Sequence, residues 1–415
     1  MSDPGLPPKP VSAAAGYASW PRLPDLYPLS FPGVKTGRDD VVVDIDRDRL
    51  VRRMQEYFNP QLSNEETRQR MPAAMRRTER FDGEAVRGRL TGRGFLPDRV
   101  VNYYYRPFDR RWLYCEPEAG LLDGKYEDHL AAVREGNQFL FATGKVREGP
   151  AEPALVVHDL TDLNCLEMGA RGFPLYRRAD EPPPPGAPRP PNLSPRAMEY
   201  LTQLHAKPED LFYHVLAILH APAYRAENSD VLGADWPRIV LPAALGTMLG
   251  SVASGRQVGA LLDIERPLPG VTTGQVRSDL LSIAVFERSG GESAEPETGD
   301  LDATVGWGRP GKNGAVMPGP GSVTDNGAVL DINLNPTAGW RNVPKAVWEY
   351  TLGGHQVIKK WLSYREKAVL GRSLQLDEVN YVTEMARRIA ALLGLAPALD
   401  RNYSAVKDRA HRFAG

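Results

Sequence analysis

The run DEPPPPGAPRPPN, residues 180–192, limits what this chain can fold into more than any other stretch. Each proline fixes its own φ and removes a backbone donor, so neither a helix nor a central strand passes through. The run reads as a stiff polyproline-type spacer, and a Pro-rich linker is placed at 181–193. Ser194 and Pro195, directly after it, are a helix start, with serine as cap and proline in the first turn.

Before the spacer, residues 1–38 are rich in Pro, Gly and Ala and read as an extended tail or a segment laid over another surface. Residues 39–94 read as a helical coupling segment that opens on a strand at 41–45 and a charged helix at 46–58. The runs VVNYYYRPFDRRWLY, NQFLFAT and PALVVHDL predict a β-rich lobe over 95–180, with a turn at Pro107 and Asp109. After the spacer, 194–262 reads as helical, with Leu211, Val215, Ile218 and Leu219 on one face. Pro222 ends that helix, because it lacks a donor and disfavours helical geometry just before itself. Short β-like runs separated by glycine follow at 263–340. In AVLDINLN, Leu330, Ile332 and Leu334 alternate with Asp331, Asn333 and Asn335. The last part, 341–412, is helical, and Val379, Val382, Met385, Ile389 and Leu392 form a continuous stripe. The fold class expected is α+β: β-rich lobes, a helical spacer and a helical C-terminal segment.

A net charge of -1 over 415 residues gives no bulk attraction to nucleic acid or membrane, so any such binding must come from local patches. One is visible: residues 70–111 hold eleven arginines against five acids. Residues 281–335 lean the other way, with eight acids against three bases, as expected of a face turned from a polyanion. The two cysteines make no framework of bridges, and no apolar run reaches the length of a membrane helix. A cytoplasmic setting follows as the expectation. The seven histidines include no pair spaced as metal ligands and read as structural. No nucleophile elbow or phosphate loop is present; GRPGKNGAVMPGPGSV contains Lys312 but reads as a hairpin loop.

What the sequence does offer is planar rings beside guanidinium forks, which pair with phosphates and base edges. Arg106, Arg110 and Arg111 lie among Tyr103, Tyr104, Tyr105 and Trp112. Lys359, Lys360 and Arg365 flank Trp361 and Tyr364. Tyr224, Arg225, Asn228 and Arg238 cluster around the Pro222 bend. These ten polar and aromatic residues are the candidate DNA contacts, against the plainer reading in which strand alternation and helix faces turn the rings into a core.

Three of these stretches, YRPFDRRWLY, FYHVLAILHAPAYRAEN with DWPRIVLP, and VWEYTLGGHQVIKKWLSYRE with LDEVNYVTEMARRIAALL, resemble the C-terminal specificity region of type ISP restriction-modification enzymes. YPLSFPGVKTGRDDVVVDIDRDRL resembles the segment that joins the methyltransferase to that region. The resemblance implies a target recognition module that binds double-stranded DNA and directs an adenine-specific DNA methyltransferase, and with it a helicase-nuclease portion. It implies no cofactor in this chain and S-adenosylmethionine on the partner methyltransferase. FNPQLS and NLNPTAG lack the second proline and the aromatic of the methyltransferase motif, so the chain is expected not to be an enzyme on its own. Shared motifs imply scaffold or backbone contacts; base readers are expected in the variable stretches 136–178 and 288–326. The competing expectation is a degenerate scaffold that docks a methyltransferase without reading DNA.

Overall fold

The computed structural model describes residues 13–117, 120–124, 126–134, 136–146, 154–166, 169–178, 189–295, 298–311 and 316–411. Helices and small sheets mix along the chain in an α+β fold. Its organising element is a four-stranded sheet in the order Val43–Asp44, Asp109–Tyr114, Val100–Arg106 and Leu160–Thr161, the last pair parallel. Both faces are covered. Tyr103, Tyr105 and Leu113 enter a smaller core, while Tyr104 enters a larger one, as the two-residue period of a strand requires.

The smaller core is closed by the arginine-dense segment. In Arg47–Phe58, the residues Leu50, Met54, Tyr57 and Phe58 are buried on one face. Asn64–Arg70 starts at a capping box, in which the Ser63 hydroxyl accepts from the Glu66 N–H and the Glu66 carboxylate accepts from the Ser63 N–H. Gly83–Thr91 adds Val86 and Leu90. The strand expected at 41–45 is a helical turn, Asp39–Val42, followed by a short strand, Val43–Asp44. The Arg38 carbonyl accepts from the N–H groups of Val41 and Val42, which closes the turn before the valines can extend.

The larger core spans the rest. A second sheet, in the order Phe31–Pro32, Arg171–Pro174, Phe139–Ala142 and Leu155–Val157, is antiparallel throughout. It shares that core with Pro195–Leu204, Pro208–His220 and Leu245–Leu262. Pro222 stops the second of these helices with Ala221 extended and becomes the first residue of Pro222–Glu227. A third sheet, in the order Val323–Asp325, Val329–Asn333, Ala338–Pro344 and Val285–Arg288, packs on the helix Leu376–Gly394, and Ala396–Asp408 completes the fold. Leu330 and Ile332 are buried while Asp331 and Asn333 are half-buried, as alternation predicts.

The polyproline reading falls largely on residues 179–188, outside the described residues. Its flanks are held together: Tyr176 and Pro191 form an antiparallel bridge, and the Arg177 N–H donates to the Pro190 carbonyl at 2.8 Å. Prolines lose their donor but keep their acceptor. The larger core therefore runs from one side of the spacer to the other without a break. The N-terminal segment is likewise part of this body: Trp20, Leu23, Leu26 and Tyr27 are buried in the larger core rather than trailing as a tail.

Candidate nucleic-acid interface

Two of the sequence-singled stretches meet in space. The hairpin Val100–Arg106 and Asp109–Tyr114 turns through Phe108, whose φ is 59°. A register shift between Tyr104 and Arg106 leaves Tyr105 without a partner across the hairpin, while Arg106 pairs with Asp109. Opposite lies the helix Val357–Ser363, continued by Tyr364 and Arg365. The Arg111 guanidinium sits between two rings, 3.8 Å from the centroid of Tyr105 and 4.1 Å from that of Tyr364. Arg365 lies 3.7 Å from the Trp361 centroid. Lys360 Nζ stands 5.0 Å from the Tyr364 ring.

Asp109 joins the two sides. Its carboxylate accepts from Arg111 at 2.7 Å and from Arg365 at 2.8 Å, and its side chain is 1% exposed. Burial alone would raise its pKa, but the two guanidinium groups outweigh that and hold it below the usual carboxylate range. Arg106 donates to Asp162 at 2.6 Å, and Tyr103 donates to the other oxygen of the same carboxylate at 2.6 Å. Burial works against the Arg106 charge, and Asp162 with Tyr105 more than restores it.

Arg106 and Arg111 line a cleft of about 750 Å³. Its other wall is the segment from Val34 to Arg53, and Arg76, Lys360, Tyr364 and Val316 complete the rim. Arg49 and Arg53 share the carboxylate of Asp44. Tyr105 donates to Asp39 at 2.7 Å. The cleft is rich in cations, but its deepest arginines already hold carboxylates.

The ten candidate residues divide accordingly. Arg106, Arg111, Lys360 and Arg365 belong to one cluster, and Lys359 is half-buried beside Lys360 on the same helix. Arg106 and Arg365 are buried, Arg111 keeps only 9% of its side chain exposed, and all three are ion-paired, so their guanidinium forks are engaged inside the protein. Arg110 points to the opposite face by strand alternation and pairs with Asp159 at 2.7 Å and Glu265 at 3.1 Å. The four residues around Pro222 line none of this cleft. Tyr224 and Asn228 are fully buried, a correction to their reading as surface contacts: the Tyr224 hydroxyl donates to the Arg238 carbonyl, and Asn228 Oδ1 accepts from the Ala14 N–H. Arg238 donates to the carbonyls of Ala18 and Trp20, and Arg225 is half-buried with its Nε enclosed. This group fastens the N-terminal segment. Of the arginine excess of 70–111, Arg87 is buried against the carbonyls of Tyr57, Asn59 and Leu62 and Arg93 pairs with Glu116, while Arg70, Arg76, Arg77, Arg80 and Arg89 stay exposed.

Sequence reasoning missed the two carboxylates that set this arrangement. Asp109 stands inside RPFDRR, where it reads as a turn residue; Asp162 is 56 residues from Arg106 and gives no local signal. Among the described residues no group of His, Cys, Asp or Glu is placed to hold a metal ion, and no helix is long and apolar enough to cross a membrane.

Fold and cleft define a mixed α+β module with two cores folded about a cation-rich cleft. Residues 25–392 match the type ISP C-terminal specificity domain, and the chain belongs to that family. No curated protein matches it. Three solved structures share its fold. A DrdV–DNA complex is 20% identical with a TM-score of 0.59, covering 91% of this chain and 35% of that one. The ATP-dependent type ISP restriction-modification enzyme LlaBIII bound to DNA is 15% identical with a TM-score of 0.59, covering 90% and 23%. A nuclease-deletion mutant of the type ISP enzyme LlaGI with a DNA substrate mimic is 15% identical with a TM-score of 0.57, covering 93% and 29%. The chain thus spans about a quarter to a third of the length of these proteins.

Proposed function

We propose that this chain is a DNA target recognition module that binds duplex DNA and directs a partner adenine-specific methyltransferase chain or domain. Membership of the specificity-domain family carries the reading, and the cation-rich cleft supports it. S-adenosylmethionine binds to the partner methyltransferase, and a helicase-nuclease chain or domain acts with the pair. The module performs no chemistry alone and works in the cytoplasm.

In this reading the buried arginines are positioning residues, and phosphates are met by the rim. Lys360 lines that rim and Lys359 neighbours it on the same helix, and neither holds a carboxylate among the described residues. Counterion release makes such binding fall steeply with salt, with a log–log slope of about −0.9 per phosphate contact. Binding of the purified chain to mixed-sequence duplex, titrated at several salt concentrations, tests this. The double variant Lys359→Ala, Lys360→Ala is expected to bind more weakly and to flatten the slope by up to about 2. The ion-paired state of Arg106, Arg111 and Arg365 favours a second reading, a scaffold that docks a methyltransferase without DNA contact. Salt-insensitive association with a methyltransferase and no duplex binding would select it.

A further inference from the structure

One element beside the cleft is not explained by packing. Gly308–Pro310 and Val316–Pro318 form a two-stranded antiparallel ribbon, with Arg309 directly opposite Met317 and Pro310 opposite Val316. Alternation gives the ribbon two faces. Val316 turns inward, packs on the smaller core and lines the cleft. Arg309 and Met317 share the outer face. Met317 is 47% exposed, and the Arg309 guanidinium has no partner among the described residues.

The base of the ribbon is fixed where its outer face is bare. A Cβ on Gly308 would lie 1.9 Å from the Ser363 carbonyl oxygen, so the first strand rests directly on the end of the helix that carries Lys359 and Lys360. The N–H groups of Gly306 and Trp307 donate to Glu366, and the Trp307 indole donates to the Asn333 carbonyl at 2.9 Å. Residues 308–318 contain no acid and two bases, in a region where acids otherwise prevail. The acids nearby are engaged: Asp300 with Arg288, Asp302 with Lys367, Asp325 with Lys345. A rigidly mounted ribbon with an unpaired arginine and an exposed thioether, next to a phosphate-facing lysine pair, has the width and chemistry to enter a DNA major groove.

We infer that this ribbon is a base-reading element, with Arg309 pairing to a guanine edge and Met317 packing on a neighbouring thymine methyl. The inference rests on the DNA-binding reading above and assigns specificity within it. An arginine fork fits guanine O6 and N7, and an apolar group fits the methyl of thymine. The lysine pair supplies affinity without sequence information.

The test is site selection from a random duplex library by the full chain, by Arg309→Ala and by Met317→Ala, with dimethyl sulfate protection of guanine N7 on the selected site. The unmodified chain is expected to select one consensus and to protect a guanine within it. Arg309→Ala should lose that protection, accept any base at that position and bind the selected site about tenfold or more weakly, with mixed-sequence binding nearly unchanged. Met317→Ala should relax an adjacent A·T position. Both side chains are exposed, so thermal melting should not move. A consensus from the unmodified chain that both variants reproduce with equal affinity and equal guanine protection would overturn the ribbon assignment alone. Absence of any consensus from the unmodified chain would overturn both this and the reading on which it rests.

Discussion

Asp109 stands between two arginines from distant parts of the chain, 2.7 Å from one and 2.8 Å from the other, and is almost wholly shielded from water. Coulomb attraction in such a place is strong, and so is the penalty for leaving either charge alone. Asp109→Ala would strand Arg111 between the Tyr105 and Tyr364 rings and free Arg365 from the hairpin. A loss of roughly 3–5 kcal/mol is expected. Arg110→Ala, one residue on but half-exposed between Asp159 and Glu265, should cost far less. Denaturant unfolding of the two variants checks this; equal losses would show that the Asp109 carboxylate does not join the two sides. The residue scale is also where sequence reading went furthest astray. YRPFDRR and KKWLSYRE show which side chains have the chemistry to bind DNA, but not which are already paired. Arg106 meets Asp162 only because a parallel strand brings Leu160–Thr161 alongside Val100–Arg106, and nothing near either residue announces that pairing.

Elements were more legible, because their signals are local. Ser194 with Pro195 begins a helix as its cap chemistry requires, and Pro222 ends one and begins the next. The short strand at Val43–Asp44 was the harder case: two acids at the start of a valine run favour a helical first turn over extension. Close packing between helices left a subtler trace. Leu245–Leu262 carries glycines at 246, 250, 255 and 259, and only part of that pattern matters. A Cβ at Gly255 would sit 1.8 Å from the Tyr213 carbonyl oxygen in the facing helix Pro208–His220, where backbone cannot yield, whereas Gly250 faces open space. Gly255→Ala is therefore expected to push the two helices apart and lower stability by several kcal/mol, on the order of other overpacked core sites. Gly250→Ala should be neutral or stabilising by up to about 1 kcal/mol, since alanine favours a helix interior. Paired thermal melts would decide it. If the two variants melted together, the close approach of these helices would be wrong.

At the scale of the molecule, the proline run marks where the backbone changes character but not where the core ends. Asn192 donates to the carbonyls of Leu29 and Pro174, so the helical part is stitched to what precedes the spacer. A core assembled from both sides buries groups whose ionisation then reports on the whole fold. His129, His214 and His220 are buried, and desolvation lowers their pKa values to about 3, about 4 and about 3. His214 is held neutral between the Ser251 hydroxyl and the Val240 carbonyl, each at 2.8 Å. Between these values and the ordinary 6.5, the unfolded chain takes up protons that the native one refuses, so stability is full above pH 6.5 and falls as pH drops. Each group removes about 1.4 kcal/mol per pH unit in that window, or roughly 2 kcal/mol by pH 5. Glu265 acts in the opposite sense. Burial and the neighbouring Asp159 push it up to about 8, so the native state holds a proton that the unfolded one releases, and acidification from pH 8 stabilises. Three histidines against one half-buried carboxyl predict a net loss between pH 7 and pH 5. Glu265→Gln removes the opposing group, so that variant should be more stable than the parent at pH 7 and should lose stability more steeply toward pH 5. Urea unfolding at the two pH values measures both. A parent protein equally stable at pH 7 and pH 5, with a variant that tracks it, would mean that these imidazoles are not held neutral in one closed core.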